Sequence, residues 1–191
     1  MSETLDIGKN QLILSYDKLQ LLDGVLDQVL LHPSGFRFGI SPIEMDPFIL
    51  GSTYRIEIKD DLDRRIILKW DSYFNLKQKK ILGVYEMVLA SLWKHYFQER
   101  LSRYEKTIDN GEVVTLGNFQ LSKYWIKKTE DSPDDEFTIE LDSALIIRNW
   151  NKLQIQSKFD SKAEIKIDTL SEWDSPFIYA LLDKIKGAPI N

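Results

Sequence analysis

One short segment occurs twice in this chain, as Trp70-Asp71-Ser72-Tyr73-Phe74 and as Trp173-Asp174-Ser175-Pro176-Phe177. In both places a stretch of short strand-like patterns precedes the segment and a helical pattern follows it. The sequence therefore predicts two consecutive units, each a run of short strands that ends in one helix. A second interpretation stays open: Asp and Ser are favoured at helix N-termini, so the same letters could arise twice without a duplication.

Length and composition are those of a folded protein, because 191 residues with 43% hydrophobic content can bury a core as one large or two small domains. Cysteine is absent, which excludes disulfides, thiol nucleophiles and cysteine-ligated metals and favours a reducing compartment. Glu3 and Asp6 stand where a secretory signal needs basic residues. No apolar run approaches the roughly 20 residues that cross a bilayer. We therefore expect a soluble cytoplasmic protein.

The charge balance argues against nucleic-acid binding. The chain has 25 basic and 30 acidic residues, a formal net charge of −5. Affinity for phosphate backbones depends on clustered Lys and Arg. Small basic groups at residues 77–80 and 123–128 are interpreted as solvated surface, with a local basic patch as the alternative. No nucleic-acid partner is predicted.

The first unit, residues 1–110, is predicted from alternating apolar residues and from turn residues. The clearest hairpin covers Thr53–Trp70 and turns at the acidic residues 60–63. Strands are also predicted at residues 12–16, 19–22, 28–31 and 36–40. Turn residues predict loops at residues 32–35, 41–42 and 46–52.

A helix from about Leu76 to about Lys106 closes the first unit. Its apolar surface is too wide for a single contact, and only Gly83, Glu86, Ala90 and Lys94 form a polar stripe. A helix buried on most of its circumference must be covered from two sides. We therefore expect it to pack on its own sheet and on the second unit, so that the two units dock tightly.

The second unit, residues 111–191, repeats the same order of elements. A helix of about residues 176–186 follows its strands, with Ser175 predicted as the N-cap and Pro176 at the first helical position. Seven short strands are predicted before that helix, at residues 113–116, 119–121, 124–128, 137–141, 144–148, 152–157 and 163–168.

The predicted fold class is α+β, with two consecutive antiparallel β-meander units that are each closed by a C-terminal helix. Six or seven such strands and one helix resemble the pleckstrin-homology-like (PH-like) superfold, and the resemblance covers nearly the whole chain. Trp93 lies in the first helix, where that family usually places a core tryptophan, whereas the second helix has none.

The resemblance to the PH-like superfold implies a scaffold for protein or peptide binding. Members of that family that bind phosphoinositides carry spaced Lys and Arg in the first hairpin. The corresponding strands here, Leu12–Leu22, offer only Lys18. The resemblance therefore implies no specific binding of phosphoinositides or of a membrane surface.

The sequence contains no motif for catalysis, cofactor binding or metal binding. Glycine-rich phosphate loops and the GxSxG nucleophile motif are absent. His32 and His95 are not spaced as metal ligands, and Asp60, Asp61 and Asp63 are expected to titrate normally at an exposed hairpin turn. No catalytic, cofactor-binding or metal-binding residue is therefore predicted.

These patterns favour a non-catalytic cytoplasmic binding or scaffold protein that recognises a protein or peptide. The alternative is an enzyme or small-ligand carrier with a pocket between the two units. Trp150 is the candidate partner contact, because Asn149 and Asn151 place it at a predicted hairpin turn. There its indole either packs on the sheet or stands out as a contact of the kind that dominates interfaces. The identity of the partner and the oligomeric state stay open.

Overall fold

The computed structural model of the chain describes residues 2–24, 27–74, 76–129, 137–149, 151–160 and 162–187. The chain divides into two compact units, residues 1–98 and 99–191. Antiparallel sheets dominate both units, which confirms the predicted α+β class. The strands of the described ranges do not close into a barrel. Among the described helices, none combines the length and the apolar content that a membrane crossing requires.

Unit 1 contains two antiparallel meanders. The first pairs its strands in the order β1 (Glu3–Ile7), β2 (Asn10–Leu14), β3 (Lys18–Leu22) and β4 (Asp27–Leu31). The second pairs β5 (Pro33–Met45), β6 (Phe48–Asp60) and β7 (Arg65–Tyr73). The predicted hairpin of β6 and β7 is confirmed. β1 was not predicted, although Leu5 and Ile7 alternate with charged or polar residues there.

The loops predicted at residues 41–42 and 46–52 are wrong. β5 continues to Met45 and β6 begins at Phe48, so that only Asp46 and Pro47 separate two strands of 13 residues each. Pro42 is tolerated because β5 lies at the edge of its sheet and pairs with β6 alone among the described strands. The turn predicted at residues 32–35 is also shorter than expected, because β5 already begins at Pro33.

One continuous helix of 32 residues follows the strands of unit 1. It consists of α1 (Gln78–Leu92), a π-helical turn (Trp93–Phe97) and α2 (Gln98–Asp109), and the boundary between the units falls after Gln98. The predicted polar stripe is confirmed, because all four of its residues are exposed.

Both meanders of unit 1 contact this helix. Phe36 of β5 stacks on Phe97, with ring centroids 3.9 Å apart, and the Tyr96 hydroxyl donates to the carbonyl oxygen of Lys18 on β3 at 2.8 Å. Two-sided contact within unit 1 explains the wide apolar surface of the helix. Tight docking of the two units stays a prediction.

Unit 2 begins with most of α2 and then repeats the order of sheets and helix of unit 1. A four-stranded meander comprises β8 (Val114–Leu116), β9 (Phe119–Leu121), β10 (Trp125–Lys128) and β11 (Phe137–Glu140). A three-stranded meander comprises β12 (Ala144–Asn149), β13 (Lys152–Ser157) and β14 (Glu164–Asp168), and α3 (Ser175–Lys186) follows it. All seven predicted strands are confirmed, and each boundary lies within one residue of the prediction.

The repeated five-residue segment does not have the same structure in its two copies. Residues 70–73 belong to β7, whereas Asp174 is the residue before α3. Asp174 is therefore the N-cap, with a φ of 60°, and Ser175 is already helical, so the predicted N-cap is wrong by one residue. The likeness between the units lies in their strand order and not in these letters.

The three carboxylates at the β6–β7 turn were expected to be exposed and to titrate normally. This prediction is wrong for Asp60. Asp60 is 2% exposed and accepts hydrogen bonds from the backbone N–H groups of Leu62 and Arg64, both at 3.0 Å, and from Arg64 Nε at 2.7 Å. Burial alone would raise the pKa of Asp60, but these hydrogen bonds outweigh it and hold the pKa below its usual value of 3.8. The Arg65 side chain likewise lowers the pKa of Asp63.

We expect Asp60→Ala to lower the free energy of unfolding at pH 7 by about 2 kcal/mol, since hydrogen bonds to a charged group contribute about 1.5–3 kcal/mol. The folded-state pKa is depressed, so this stabilisation is present above the unfolded-state pKa and is lost as the pH falls through the folded value. The difference between wild type and variant should therefore shrink below about pH 4. Urea unfolding between pH 7 and pH 3 measures it, with the exposed Asp61→Ala as matched control. A difference that stays constant over that range contradicts the role of the charge.

Candidate functional site

Trp150, the partner contact predicted from the sequence, lies outside the described residues. The hairpin that carries it is confirmed, because β12 and β13 pair up to Asn149 and Lys152. A contact through Trp150 stays a prediction.

His95 takes part in a polar cluster that connects β1 to the long helix. Its Nε2 lies 2.7 Å from Oε2 of Glu3, and the Ser91 hydroxyl donates to Oε1 of Glu3 at 2.9 Å. The hydrogen bonds from His95 and Ser91 lower the pKa of Glu3. The cluster holds the N-terminal strand, and the described residues contain no group of three potential metal ligands.

Two grooves lie within unit 2. The first, of about 220 Å³, contains Lys123 of the predicted basic group, and there Lys184 Nζ donates to Asp109 at 2.8 Å and lies 3.7 Å from Glu105. The hydrogen bond that Lys184 donates to Asp109 raises the pKa of Lys184. The second groove, of about 250 Å³, lies beside β13 and β14 and is lined mostly by polar side chains. In the first groove, Lys184 is thus paired with two acidic side chains.

A cluster of exposed apolar side chains, which we call the apolar end, lies where the second meander of unit 1 ends. The exposed fractions are 64% for Met45, 67% for Phe48, 73% for Ile49, 49% for Tyr73, 72% for Phe74 and 68% for Leu76. The last β6–β7 pair joins Gly51 to Tyr73, and the β5–β6 hairpin continues beyond it. Met45, Phe48 and Ile49 therefore lie at a hairpin end that extends past the third strand, and the other three residues end that strand or follow it.

A β-bulge determines which face of the hairpin each of these side chains occupies. Ile43 pairs with Gly51, but Glu44 pairs with Ile49, so Leu50 is an extra residue on β6. Side chains alternate along a strand, so one extra residue exchanges the faces of everything beyond it. Phe48 consequently shares the face opposite α1 with Tyr73, and Ile49 takes the other face. Both faces of the hairpin end are apolar.

Gly51 permits a close approach of β6 and β7 at the apolar end. A Cβ atom at this position would lie 1.9 Å from the carbonyl oxygen of Ser72 and 3.0 Å from the Cα of Tyr73. No side chain fits there. The N–H of Phe74 then donates to the carbonyl oxygen of Leu50 at 2.6 Å and connects the residue after β7 to the bulge.

Phe74 has an unfavourable backbone conformation. Its φ is 49°, in the left-handed region that bulky residues rarely occupy. Burial of the ring does not offset this strain, because the side chain is 72% exposed. Strain of this kind persists where the surrounding structure imposes it, and it is common at functional sites. Here the buried Ser72 hydroxyl donates to the carbonyl oxygen of Leu76 at 3.0 Å and fixes the same turn.

Charged residues are neighbours of the apolar end along the chain. Glu44 and Asp46 lie at the hairpin turn, and Lys77, Lys79 and Lys80 lie at the start of α1. All five are exposed, and within the described ranges none of them forms an ion pair. The basic group at residues 77–80, interpreted from the sequence as solvated surface, thus lies next to the apolar end.

The apolar end was not predicted from the sequence, because residues 46–52 were expected to form a loop. The signal was present as four consecutive apolar residues, Pro47–Leu50, between two alternating segments. No protein-family model matches the chain, and neither does any curated protein or solved structure.

Proposed function

We propose that this chain is a non-catalytic, cytoplasmic binding or scaffold protein that docks a protein or peptide on the apolar end. The observation that carries the proposal is the exposure of six large apolar side chains at one end of a sheet. A concentration of exposed large apolar side chains is unusual on a folded protein and commonly marks an interaction site. The strained backbone of Phe74, which presents an aromatic ring to solvent, supports the same conclusion.

The proposed architecture is a tandem pair of PH-like units. It is supported by the shared order of a four-stranded meander, a three-stranded meander and a helix in both units. Trp93, which is partly buried, also contacts the buried Phe36 edge-on, with ring centroids 5.7 Å apart. The resemblance supports a binding scaffold by analogy only, since one fold can serve many functions.

Lipid headgroups are not the proposed ligand, because β2 and β3 together contribute only Lys18 as a basic residue. The alternative of an enzyme or small-ligand carrier gains no specific support from the grooves in unit 2. Lys184 of the first groove is paired with Asp109 and Glu105, and the second groove is a polar surface beside a sheet.

We expect Phe48→Asp to remove protein binding without unfolding the chain. A central aromatic residue of an interface commonly contributes 2 kcal/mol or more, so the amount of bound partner should fall at least about tenfold. The measurement is quantitative capture from an extract of cells that express the protein, with wild type and variants as bait. Phe159→Asp is the matched control, because Phe159 is 86% exposed in a turn of unit 2.

Urea unfolding should show both Asp variants within about 0.5 kcal/mol of wild type, as is usual for surface substitutions. Equal capture by the Phe48 and Phe159 variants would contradict a docking role of the apolar end.

A further inference from the structure

We propose that one face of the β5–β6–β7 sheet binds a short, extended, acidic segment of a partner protein. The segment carries two carboxylates four residues apart and an apolar residue midway between them. This inference goes beyond the proposed function, because it concerns a charged surface and does not depend on the apolar end.

The face in question points away from α1. Tyr85 of α1 contacts the rings of Phe38, Tyr54 and Trp70, one residue from each strand, at centroid distances of 6.5, 5.5 and 6.3 Å. Side chains alternate between the two faces of a sheet. The odd-numbered residues of this part of the three strands therefore point to the opposite side.

Five basic side chains lie on this opposite side in three consecutive cross-strand rows of the sheet. We call them the basic face: Arg37 of β5, Arg55 and Lys59 of β6, and Arg65 and Lys69 of β7. The side chains of Arg55, Arg65 and Lys69 are 43%, 43% and 55% exposed. A ligand can therefore reach them from solvent.

Two of these rows pair like charges directly across the strands. Arg55 lies opposite Lys69, and Lys59 lies opposite Arg65. The residue of β5 in each of these rows is a glycine, which has no side chain to pair with a cation. Like charges in opposite positions destabilise a sheet. An anion that contacts both members of a row removes this repulsion.

The row of Lys59 and Arg65 already shows such a contact within the chain. Asp63 of the β6–β7 turn accepts hydrogen bonds from Arg65 at 2.6 Å and from Lys59 at 3.4 Å. In the row of Arg55 and Lys69, no carboxylate of the described ranges pairs with both cations. That row is therefore the stronger candidate for a carboxylate of a partner.

The carboxylates of the chain neutralise the basic face only in part. Three of them pair with its five cations, namely Glu57, Asp63 and Asp71. These eight side chains together have a formal charge of +2, on a chain whose net charge is −5. Two carboxylates of a partner would complete the neutralisation.

The spacing of the rows defines the pattern of the acidic segment. Arg65 and Lys69 are four residues apart on β7, which corresponds to about 14 Å. Ile67 lies midway between them on the same face and is 48% exposed. An extended peptide has the same repeat, so carboxylates at positions i and i+4 reach the two outer rows. The residue at i+2 then lies on Ile67, which favours an apolar side chain there.

The dimensions of the basic face favour a protein segment over nucleic acid or a membrane. Asp63 follows β6 at one end of the face, and Asp71 occupies the next row at the other end. The cations therefore cover only about 14 Å along the strands. Nucleic-acid affinity depends on many phosphate contacts, and a membrane presents an extended anionic plane. Both would meet the two carboxylates at the ends.

The test is a fluorescence polarisation titration of a labelled peptide with the full chain. The peptide has two glutamates four residues apart and a valine midway between them. At about 50 mM salt it should bind at least about tenfold more tightly than the same peptide with glutamine at both positions, and the binding should weaken as salt is added. Equal binding of the two peptides overturns the inference. Tighter binding of a single-stranded oligonucleotide or of phosphatidylserine vesicles than of the acidic peptide also overturns it.

Lys69→Glu tests the location of the site through both a loss and a gain of binding. It should weaken binding of the acidic peptide at least about tenfold. It should also bind one of the two peptides with a single glutamate-to-lysine exchange more tightly than wild type does, which misfolding cannot mimic. Failure to gain either peptide overturns the inference.

Lys166→Glu is the matched control. Lys166 lies on β14, its side chain is 74% exposed, and it pairs with Glu164 two positions away, as Lys69 pairs with Asp71. This variant should change binding of the acidic peptide by less than about twofold. Equal losses in the Lys166 and Lys69 variants overturn the assignment to the basic face.

The inference and the proposed function fail in distinguishable ways. Phe48→Asp should leave binding of the acidic peptide within about twofold of wild type. A loss as large as that of Lys69→Glu assigns the peptide to the apolar end and overturns the inference. If Lys69→Glu binds the peptide like wild type while Phe48→Asp removes capture of a protein, the proposed function stands and the basic face is refuted.

Discussion

Gly51→Ala should lower the free energy of unfolding by about 3 kcal/mol, at the upper end of what overpacking costs. The added Cβ would lie 1.9 Å from the carbonyl oxygen of Ser72. If the clashing atom belonged to a flexible side chain, that side chain could rotate away. The carbonyl oxygen of Ser72 is part of the β7 backbone, which can move only if the β6–β7 ladder opens. The measurement is urea unfolding of the full chain, followed by far-UV circular dichroism.

Gly83→Ala is the matched control for this experiment. Gly83 is exposed on α1, and a Cβ there meets no atom within 4 Å. Alanine is a better helix former than glycine by about 1 kcal/mol, so this variant should be slightly more stable than wild type. A Gly51 variant as stable as wild type would show that β6 and β7 do not approach as closely as the structure indicates.

The strands of unit 2 could be predicted from the sequence because each obeys a local rule. Short alternating segments such as Lys152–Ser157 are separated by turn residues such as Asn151 and Asp160, so turn residues and alternation agree there. The polar stripe of the long helix was predictable for the same reason, since four residues at helical spacing are small or charged.

The apolar end could not be predicted, because its local signals contradict its structure. Pro42 and Gly51 are turn residues in most contexts, yet both lie in strands here. Pro42 is accommodated because β5 is an edge strand. Position 51 requires glycine because the backbone of β7 approaches it closely. Neither condition is visible without knowledge of strand order. Since the loop prediction was wrong there, the exposure of Phe48 and Ile49 could not be recognised either.

The repeated segment shows the limit of sequence identity as evidence for structure. Its first copy lies in a strand that pairs with β6, and its second copy begins a helix. Tertiary pairing decides between the two outcomes for nearly the same letters. The order of strands and helices in the two units, which alternation predicts, is therefore a better guide to their likeness than the segment itself.

Alternation also fails to identify a buried charge on β6. Arg55 and Glu57 alternate with the core residues of that strand, a pattern that places both on the solvent side. Glu57 is instead 1% exposed. It accepts hydrogen bonds from Arg37 of β5, from Nε at 3.1 Å and from Nη2 at 2.8 Å, and it forms an ion pair with Arg55 on its own strand.

We therefore expect Glu57→Ala to lower the free energy of unfolding by about 3 kcal/mol, because removal of one partner from a buried ion pair commonly costs about 3–5 kcal/mol. The lower figure applies here, since Arg37 is 17% and Arg55 43% exposed and water can solvate part of their charge. Glu57→Gln should cost less than Glu57→Ala, because the amide oxygen can still accept from Arg37. Glu86→Ala, on the polar stripe of α1, is the control and should change stability by less than about 0.5 kcal/mol. If chemical denaturation gives Glu57→Ala and Glu86→Ala the same stability, then Glu57 is solvated as its position in the alternation predicts, and the two arginines do not hold it.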